Sequence, residues 1–162
     1  MVHRYFRSAK PIDNEFGRDL EIAFYFIKSF FISTMITQQL LEFKKIIEAK
    51  PATTNRIPDK QTRNLLLYLF SGTRGGFTRL RIVMLLLERP YNTHQLTKEI
   101  GLDYKAVQHN LQVLLKNNLV TKVGEKYGVI FHLSNFLEIN IHVLDEVITK
   151  LERKVNSKKV YL

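Results

Sequence analysis

The chain has 162 residues, room for one globular domain with an added element rather than for two full domains. Its 25 Lys+Arg against 15 Asp+Glu leave a formal charge of +10, an excess that points to a polyanionic partner, either nucleic acid or an anionic membrane surface. The absence of cysteine excludes disulfides, thiolate metal sites and cysteine nucleophiles.

Residues 1–18 are polar and basic, with Arg4, Arg7, Lys10 and Arg18 around Pro11, and are read as an arm without regular structure. They hold no apolar core followed by small residues, so no signal peptide is expected and the expected location is cytoplasmic. Residues 19–50 contain no Gly or Pro and predict one long helix. Its first half, from Ile22 through Phe24, Tyr25, Phe26 and Ile27 to Phe30, Phe31, Ile32 and Met35, is apolar around the whole circumference. A membrane span is one reading of such a run. Against it stand Lys28 in the middle, Glu21 at one end and Gln38 and Gln39 at the other, because a charge at mid-bilayer costs about 2.5–3.5 kcal/mol. The second half is amphipathic, with Ile36, Leu40, Phe43 and Ile47 at 4-3-4 spacing. The helix is therefore expected to pair two copies of the chain, with a membrane-anchored regulator as the alternative. Residues 51–60, Pro-Ala-Thr-Thr-Asn-Arg-Ile-Pro-Asp-Lys, read as a linker.

Residues 61–134 alternate short helices and two short strands. After Gly75 and Gly76, Thr78 is the expected N-cap of a helix that buries Leu80, Ile82, Val83, Leu85, Leu86 and Leu87, leaves Arg79, Arg81 and Glu88 outside, and stops at Pro90. Asn92 or Thr93 caps a short second helix, His94 to Ile100, that buries Leu96 and Ile100; Gly101 stands where a left-handed C-cap belongs. Asp103 caps a third helix, Tyr104 to about Asn117. Val107, Leu111 and Leu114, at 4-3 spacing, mark its buried face. Tyr104, Lys105, Gln108, His109 and Gln112 fall on the other face, and no acidic residue interrupts them. This is a helix-turn-helix whose second member enters the major groove, where Gln pairs with adenine and Lys donates to guanine. Thr93 and Lys116 flank the patch.

Two β-rich runs follow, Leu119 to Val123 and Val129 to Leu133, joined by a turn from Gly124 to Gly128. A hairpin at this place is a wing, and it brings Lys122, Lys126 and Tyr127 to the sugar-phosphate backbone. The fold class is accordingly mainly α with a small β-hairpin, a winged helix-turn-helix flanked by long N- and C-terminal helices. Between Asp59 and Ser134 there are 11 Lys+Arg against 5 Asp+Glu, so most of the positive excess sits in this piece.

A little over a third of the chain resembles the ArsR-like winged-helix regulators, in particular a group common in archaea. The resemblance rests on Gly72-Thr73-Arg74-Gly75-Gly76, on Arg79 and Arg81-Ile82, on Glu88-Arg89-Pro90-Tyr91-Asn92 and Gln95-Leu96, on Leu102-Asp103-Tyr104-Lys105, and on Val107, His109, Leu111, Val113-Leu114 and Asn118-Leu119-Val120. It implies a dimeric DNA-binding regulator with Tyr104, Lys105, Gln108 and His109 at recognition-helix positions. Gln108 and Asn110 depart from the basic residue and second histidine common in that group, so the operator sequence does not carry over. Many such regulators sense metals. Here cysteine is absent and the five histidines are scattered, so no metal, cofactor or small-molecule substrate is expected.

Ser134 is the expected cap of a last helix over residues 135–155. Leu137, Ile141, Leu144, Ile148, Leu151 and Val155 form an a/d seam on it, with Glu146 and Lys150 as an outer i,i+4 pair. This seam, with Ile36, Leu40, Phe43 and Ile47, is the expected homodimer interface, and residues 156–162 form a basic tail. No Gly-rich phosphate loop carries its lysine and no acid–base pair is coherent, so an enzyme is not expected. The competing reading is a winged helix used for protein contacts, which tends to present acidic or apolar residues where this chain has Lys, Gln, His and Tyr.

Overall fold

The computed structural model describes residues 15–50, 58–125 and 128–159. Most of the basic arm, most of the linker, the wing-tip residues Lys126 and Tyr127, and the last three residues of the tail lie outside them. Helix α1 (Glu15–Glu48) is 34 residues long and starts ahead of the expected position. Helix α2 (Lys60–Leu67) runs without interruption into a π-helical turn, Tyr68–Gly72. Helices α3 (Gly76–Glu88), α4 (Thr93–Ile100) and α5 (Tyr104–Lys116) follow. Strands β1 (Val120–Val123) and β2 (Ile130–Leu133) make an antiparallel hairpin in which Val120 faces Leu133 and Lys122 faces Phe131. Helices α6 (Asn135–Ile139) and α7 (Val143–Lys159) close the described chain. The fold is mainly helical with a two-stranded wing. Among the described residues no helix is long and apolar enough to cross a membrane.

The local signals are chemical. Asp59 caps α2 by accepting from the Thr62 backbone N–H at 2.8 Å. Asn92 and Gln95 form a reciprocal capping box at the start of α4, at 2.8 and 2.9 Å. Gly101 takes a left-handed φ of 72° and stops α4. Asp103 accepts from Ala106 N at 2.8 Å and starts α5. Asn118, at φ 54°, plays the part of a C-terminal glycine after α5, and Ser134 Oγ donates to its carbonyl at 2.5 Å. Tyr91 adds a third stretch of backbone to the wing, exchanging hydrogen bonds with Phe131 at 2.8 and 3.3 Å.

Four expectations are corrected. First, Thr78 does not cap α3: the helix begins at Gly76, after Gly75 in a left-handed conformation at φ 84°. A Cβ on Gly76 would lie 2.1 Å from the Phe70 carbonyl oxygen, so the double glycine lets α3 start directly against the π-turn. Second, Arg79 is not outside. It is 2% exposed, and its guanidinium fills a pocket of neutral acceptors.

Third, the last helix is broken at residues 140–142. The Asn140 side-chain amide donates to Phe136 O at 2.8 Å, while the Asn140 backbone N–H shifts to Leu137 O and the following amides also bond three residues back. A side chain that competes for the backbone carbonyl ends α6 and tightens the chain into α7. Fourth, Glu146 pairs with Arg63 of α2 at 2.7 Å, where the sequence suggested Lys150.

The expected subunit seam is largely the chain's own core. Leu137, Ile141, Leu144 and Ile148 are buried, as are Leu40 and Ile47, and α7 packs on α1 and α2 of the same chain. Ile36, Phe43 and Leu151 pack half-buried at the edge of that cluster, and Val155 is half-buried beyond it. An a/d stripe needs a second helix, and α1 supplies it in the same molecule. Within one chain, α1 thus covers much of this stripe. The uncovered apolar surface lies instead on the first half of α1.

Candidate nucleic-acid interface

Helix α5 is positioned from below by apolar packing and by one polar joint. Val107, Leu111 and Leu114 are buried with Leu96 and Ile100 of α4 beneath them. Between these apolar contacts, Asn110 is also buried, and its Oδ1 accepts from Arg79 Nη1 at 3.0 Å while its Nδ2 donates to Ala106 O at 2.8 Å. Arg79 Nε and Nη2 donate to the Leu69 carbonyl of the π-turn at 3.1 and 2.7 Å, and Nη2 also reaches Thr73 Oγ1 and the Arg74 carbonyl. One guanidinium thus ties the π-turn, the start of α3 and the inner face of α5 together. The Leu69 carbonyl lies in the last turn before the helix ends at Gly72, and the Thr73 hydroxyl donates to it as well at 3.0 Å. Burial pushes the guanidinium down from the ordinary arginine value, and Arg81 shifts the same way for the same reason. Both stay charged at neutral pH, and Arg79 is neutralised by oriented carbonyls rather than by a carboxylate.

The outer face of α5 is polar and unobstructed. Tyr104, Lys105, Gln108, His109, Gln112 and Lys116 are all exposed, with Tyr104 at 50%. Among the described residues none of these side chains is tied up in a hydrogen bond or ion pair, so their donors and acceptors are available. Beside them lies a hollow of about 390 Å³ between α5, the first turn of α4 and the wing. Tyr104, Gln108 and Gln112 line one wall, Thr93 and His94 another, and Lys122 with Phe131 the third.

The arrangement brings together Thr93, Tyr104, Gln108, Gln112 and Lys122 from the sequence reading. Lys105 and His109 stand one turn apart on the same exposed face, outside the hollow, and Lys116 sits at the far end of the helix. Lys126 and Tyr127 fall outside the described residues. His94, which the sequence reading did not single out, also lines the hollow from the first turn of α4, and its place directly after a capped N-terminus was the available signal. The first turn of α4 presents backbone N–H groups and the positive end of its dipole, which favour an anionic oxygen. Chemically, the face offers amide, imidazole, phenol and ammonium groups with no acidic side chain among them. That suits a phosphate-rimmed groove with hydrogen-bonding base edges on its floor.

No curated protein matches the chain. Among solved structures, reduced HlyU from Vibrio cholerae N16961 aligns at 22% identity with a TM-score of 0.41, over 57% of this chain and 88% of that one. Residues 77–122, from the first turn of α3 to Lys122 on the wing, match the family model described as bacterial regulatory protein, arsR family, so the segment that builds this interface is similar to the helix-turn-helix of those regulators.

Proposed function

We propose that the protein is a transcription regulator that binds double-stranded DNA sequence-specifically, as a homodimer, with α5 in the major groove and the β1–β2 wing against the backbone. The observation that carries this reading is the free, acid-less outer face of α5 in a segment that matches the arsR-family model. Gln108 and Gln112 are suited to adenine, Lys105 to guanine or phosphate, and Tyr104 and His109 to either. Thr93, Lys116 and Lys122, with Lys126 and Tyr127 on the wing tip, grip phosphate. Two heads set about 34 Å apart would read a palindrome on one face of the duplex. The charge of +10 supports the same partner, since each phosphate neutralised adds about 0.9 to the slope of log affinity against log salt. A cytoplasmic location follows from this role.

Binding of genomic promoter fragments by the purified protein across a salt series tests the reading. The triple variant Lys105→Ala, Gln108→Ala, His109→Ala is expected to keep its helical circular dichroism and to lose about a hundredfold or more of its preference for the selected site, at about 1–3 kcal/mol per base-reading pair. Retained selectivity in that variant would show that α5 is not the reading helix.

A further inference from the structure

A groove of about 950 Å³ opens between the first half of α1 and the end of α7. Its origin lies in the stripe that α1 turns toward α7. Leu40 and Ile36 fill that stripe with branched side chains, and Leu40 is fully buried. One and two turns earlier the stripe carries Ser33 and Ser29, and both line the groove. The helices run antiparallel with Lys44 beside Asp145 at 4.0 Å, so equal rise along both brings Ser33 level with the stretch from Lys154 to Ser157. With the helix spacing set by Leu40 and Ile47 in the other half, the two serines cannot fill the gap.

We infer that the groove binds a single-chain amphipathic monocarboxylate, a fatty-acid-like molecule whose tail lies along α1 and whose carboxylate meets the Lys154 ammonium. The walls are apolar through Phe26, Phe30, Ile36, Phe77 and Leu151, and among the described residues lining the groove Lys154 alone is charged. Its Nζ donates to the Ser71 carbonyl, and among the described residues no carboxylate pairs with it. An ammonium has three donors, so two remain for a ligand. One uncompensated charge in an apolar wall complements a monoanion, whereas a phosphate dianion would leave a negative charge unmatched. Ser33 Oγ is buried with no hydrogen-bond partner among the described residues, and turned to the bound head group it gains one.

Size agrees with the chemistry. From Phe26 to Ile36 the wall runs about 15 Å along the helix axis, the reach of a medium-length acyl chain. Apolar walls between helices, a volume of this order and a few placed polar groups are the common features of small-molecule sites. Phe24, Tyr25, Ile27 and Phe31, which are 60–69% exposed, stand outside the groove on the other sides of α1. Occupancy of the groove is therefore independent of what covers those residues, and it does not rest on the DNA reading. The Lys154 contact places the head group against the same π-turn that Arg79 ties to α5.

Isothermal titration of the full chain with dodecanoate, kept below its micelle concentration, is expected to return one molecule per chain. Lys154→Met keeps the stem and loses the charge, and should bind about tenfold more weakly; dodecanol should bind the native chain about tenfold more weakly than the acid. Lys154→Arg should recover most of the loss. The double variant Ser29→Leu, Ser33→Leu fills the groove and should abolish binding with helical circular dichroism unchanged. The double variant Tyr25→Ser, Phe31→Ser, on the outer sides, should bind as the native chain does.

Absence of binding overturns the inference. So does uptake of several molecules per chain that disappears in Tyr25→Ser, Phe31→Ser, which would be adsorption to exposed aromatic rings. An affinity that Lys154→Met leaves unchanged overturns the assigned head group and the site with it. Two other occupants are distinguishable. Dodecanoate that binds only at a dilution where chains are single would give the groove to a second copy. Pelleting with vesicles of phosphatidylcholine and phosphatidylglycerol, without binding of the free acid, would give it to a bilayer. Either result overturns the inference.

Discussion

Helix α5 and the first half of α1 both show solvent a face that the surrounding domain does not use, and they do so under opposite physics. The face of α5 is amides, imidazole, phenol and ammonium groups over a stripe of Val107, Leu111 and Leu114 sunk in the core. Water satisfies such a face, so α5 is stable as it stands and can wait for a ligand. The face of α1 is phenylalanine, tyrosine and isoleucine on every side, and water does not satisfy it. The exposed face of α5 is therefore suited to exchangeable, salt-sensitive contacts. Exposure on α1 marks one that needs lasting cover. The two also differ in how they are held: α5 is tied down by a buried polar joint, whereas the first half of α1 faces the end of α7 across an open groove.

The joint is where stability and binding are expected to fall together. Replacing Arg79 with Met strands Asn110 Oδ1 in a buried place, leaves the Leu69 carbonyl with the Thr73 hydroxyl as donor, and removes the tie between the π-turn and α5. Leaving a buried acceptor unpaired costs about 1–3 kcal/mol, so Arg79→Met is expected to lose about that much in urea unfolding. It should also weaken DNA binding beyond what the lost stability explains. Arg79→Lys, which keeps the charge but not the fork, should recover part of the stability. If Arg79→Met matches the native chain in both, α5 is held by apolar packing alone and the contrast drawn between the two helices fails.

The next contrast lies inside α1. Leu40 is fully buried, and Phe31 is 68% exposed. Leu40→Ala is expected to cost about 2–5 kcal/mol by opening a cavity. Phe31→Ala, measured at a dilution where single chains prevail, should stay within about 0.5 kcal/mol of native. At higher concentration the order changes, because Phe31→Ala should then lower the midpoint of thermal unfolding through weakened association. Equal, concentration-independent effects at both positions would mean that the first half of α1 is packed like the second.

Much of the helix-turn-helix was legible because its signals are local. The Asn92–Gln95 capping box, Gly101, the Asp103 cap and the 4-3 stripe of α5 each act within one or two turns, and the sequence displays them directly. What was not legible depended on partners far along the chain. Arg79 was placed outside because a charge is ordinarily solvated, and nothing in the residues 68–72 announces a π-turn that offers carbonyls to it. The interruption at Asn140 turns on which carbonyl one amide side chain selects.

The stripe from Leu137 to Val155 reads as a seam, and within one chain α1 and α2 pack along it. A heptad pattern states that another helix is needed, and does not state whether that helix belongs to the same molecule. The apolar residues of the first half of α1, broken by Lys28 and Ser29 but already visible in the sequence, are the ones that one chain leaves exposed.

The smallest effect concerns Asp59, at the N-terminus of the helix that links the two regions through the Arg63–Glu146 pair to α7. Hydrogen bonds from the Thr62 backbone N–H and hydroxyl, each 2.8 Å, hold its carboxyl below the ordinary aspartate value of 3.8. A carboxyl depressed in the folded state contributes stability that is fully present above its unfolded value and is lost as pH falls through the folded one. Native stability should therefore decline below about pH 4 with a component that Asp59→Asn lacks, because the amide oxygen still caps α2 but no longer titrates. The two chains should unfold at nearly the same urea concentration at pH 7, with the native chain losing its small advantage toward pH 3. Since the cap is solvent-exposed, the divergence should be slight, and association through α1 should be indifferent to it. A loss of pairing in Asp59→Asn would instead place α2 in the path that orients α7 and its groove.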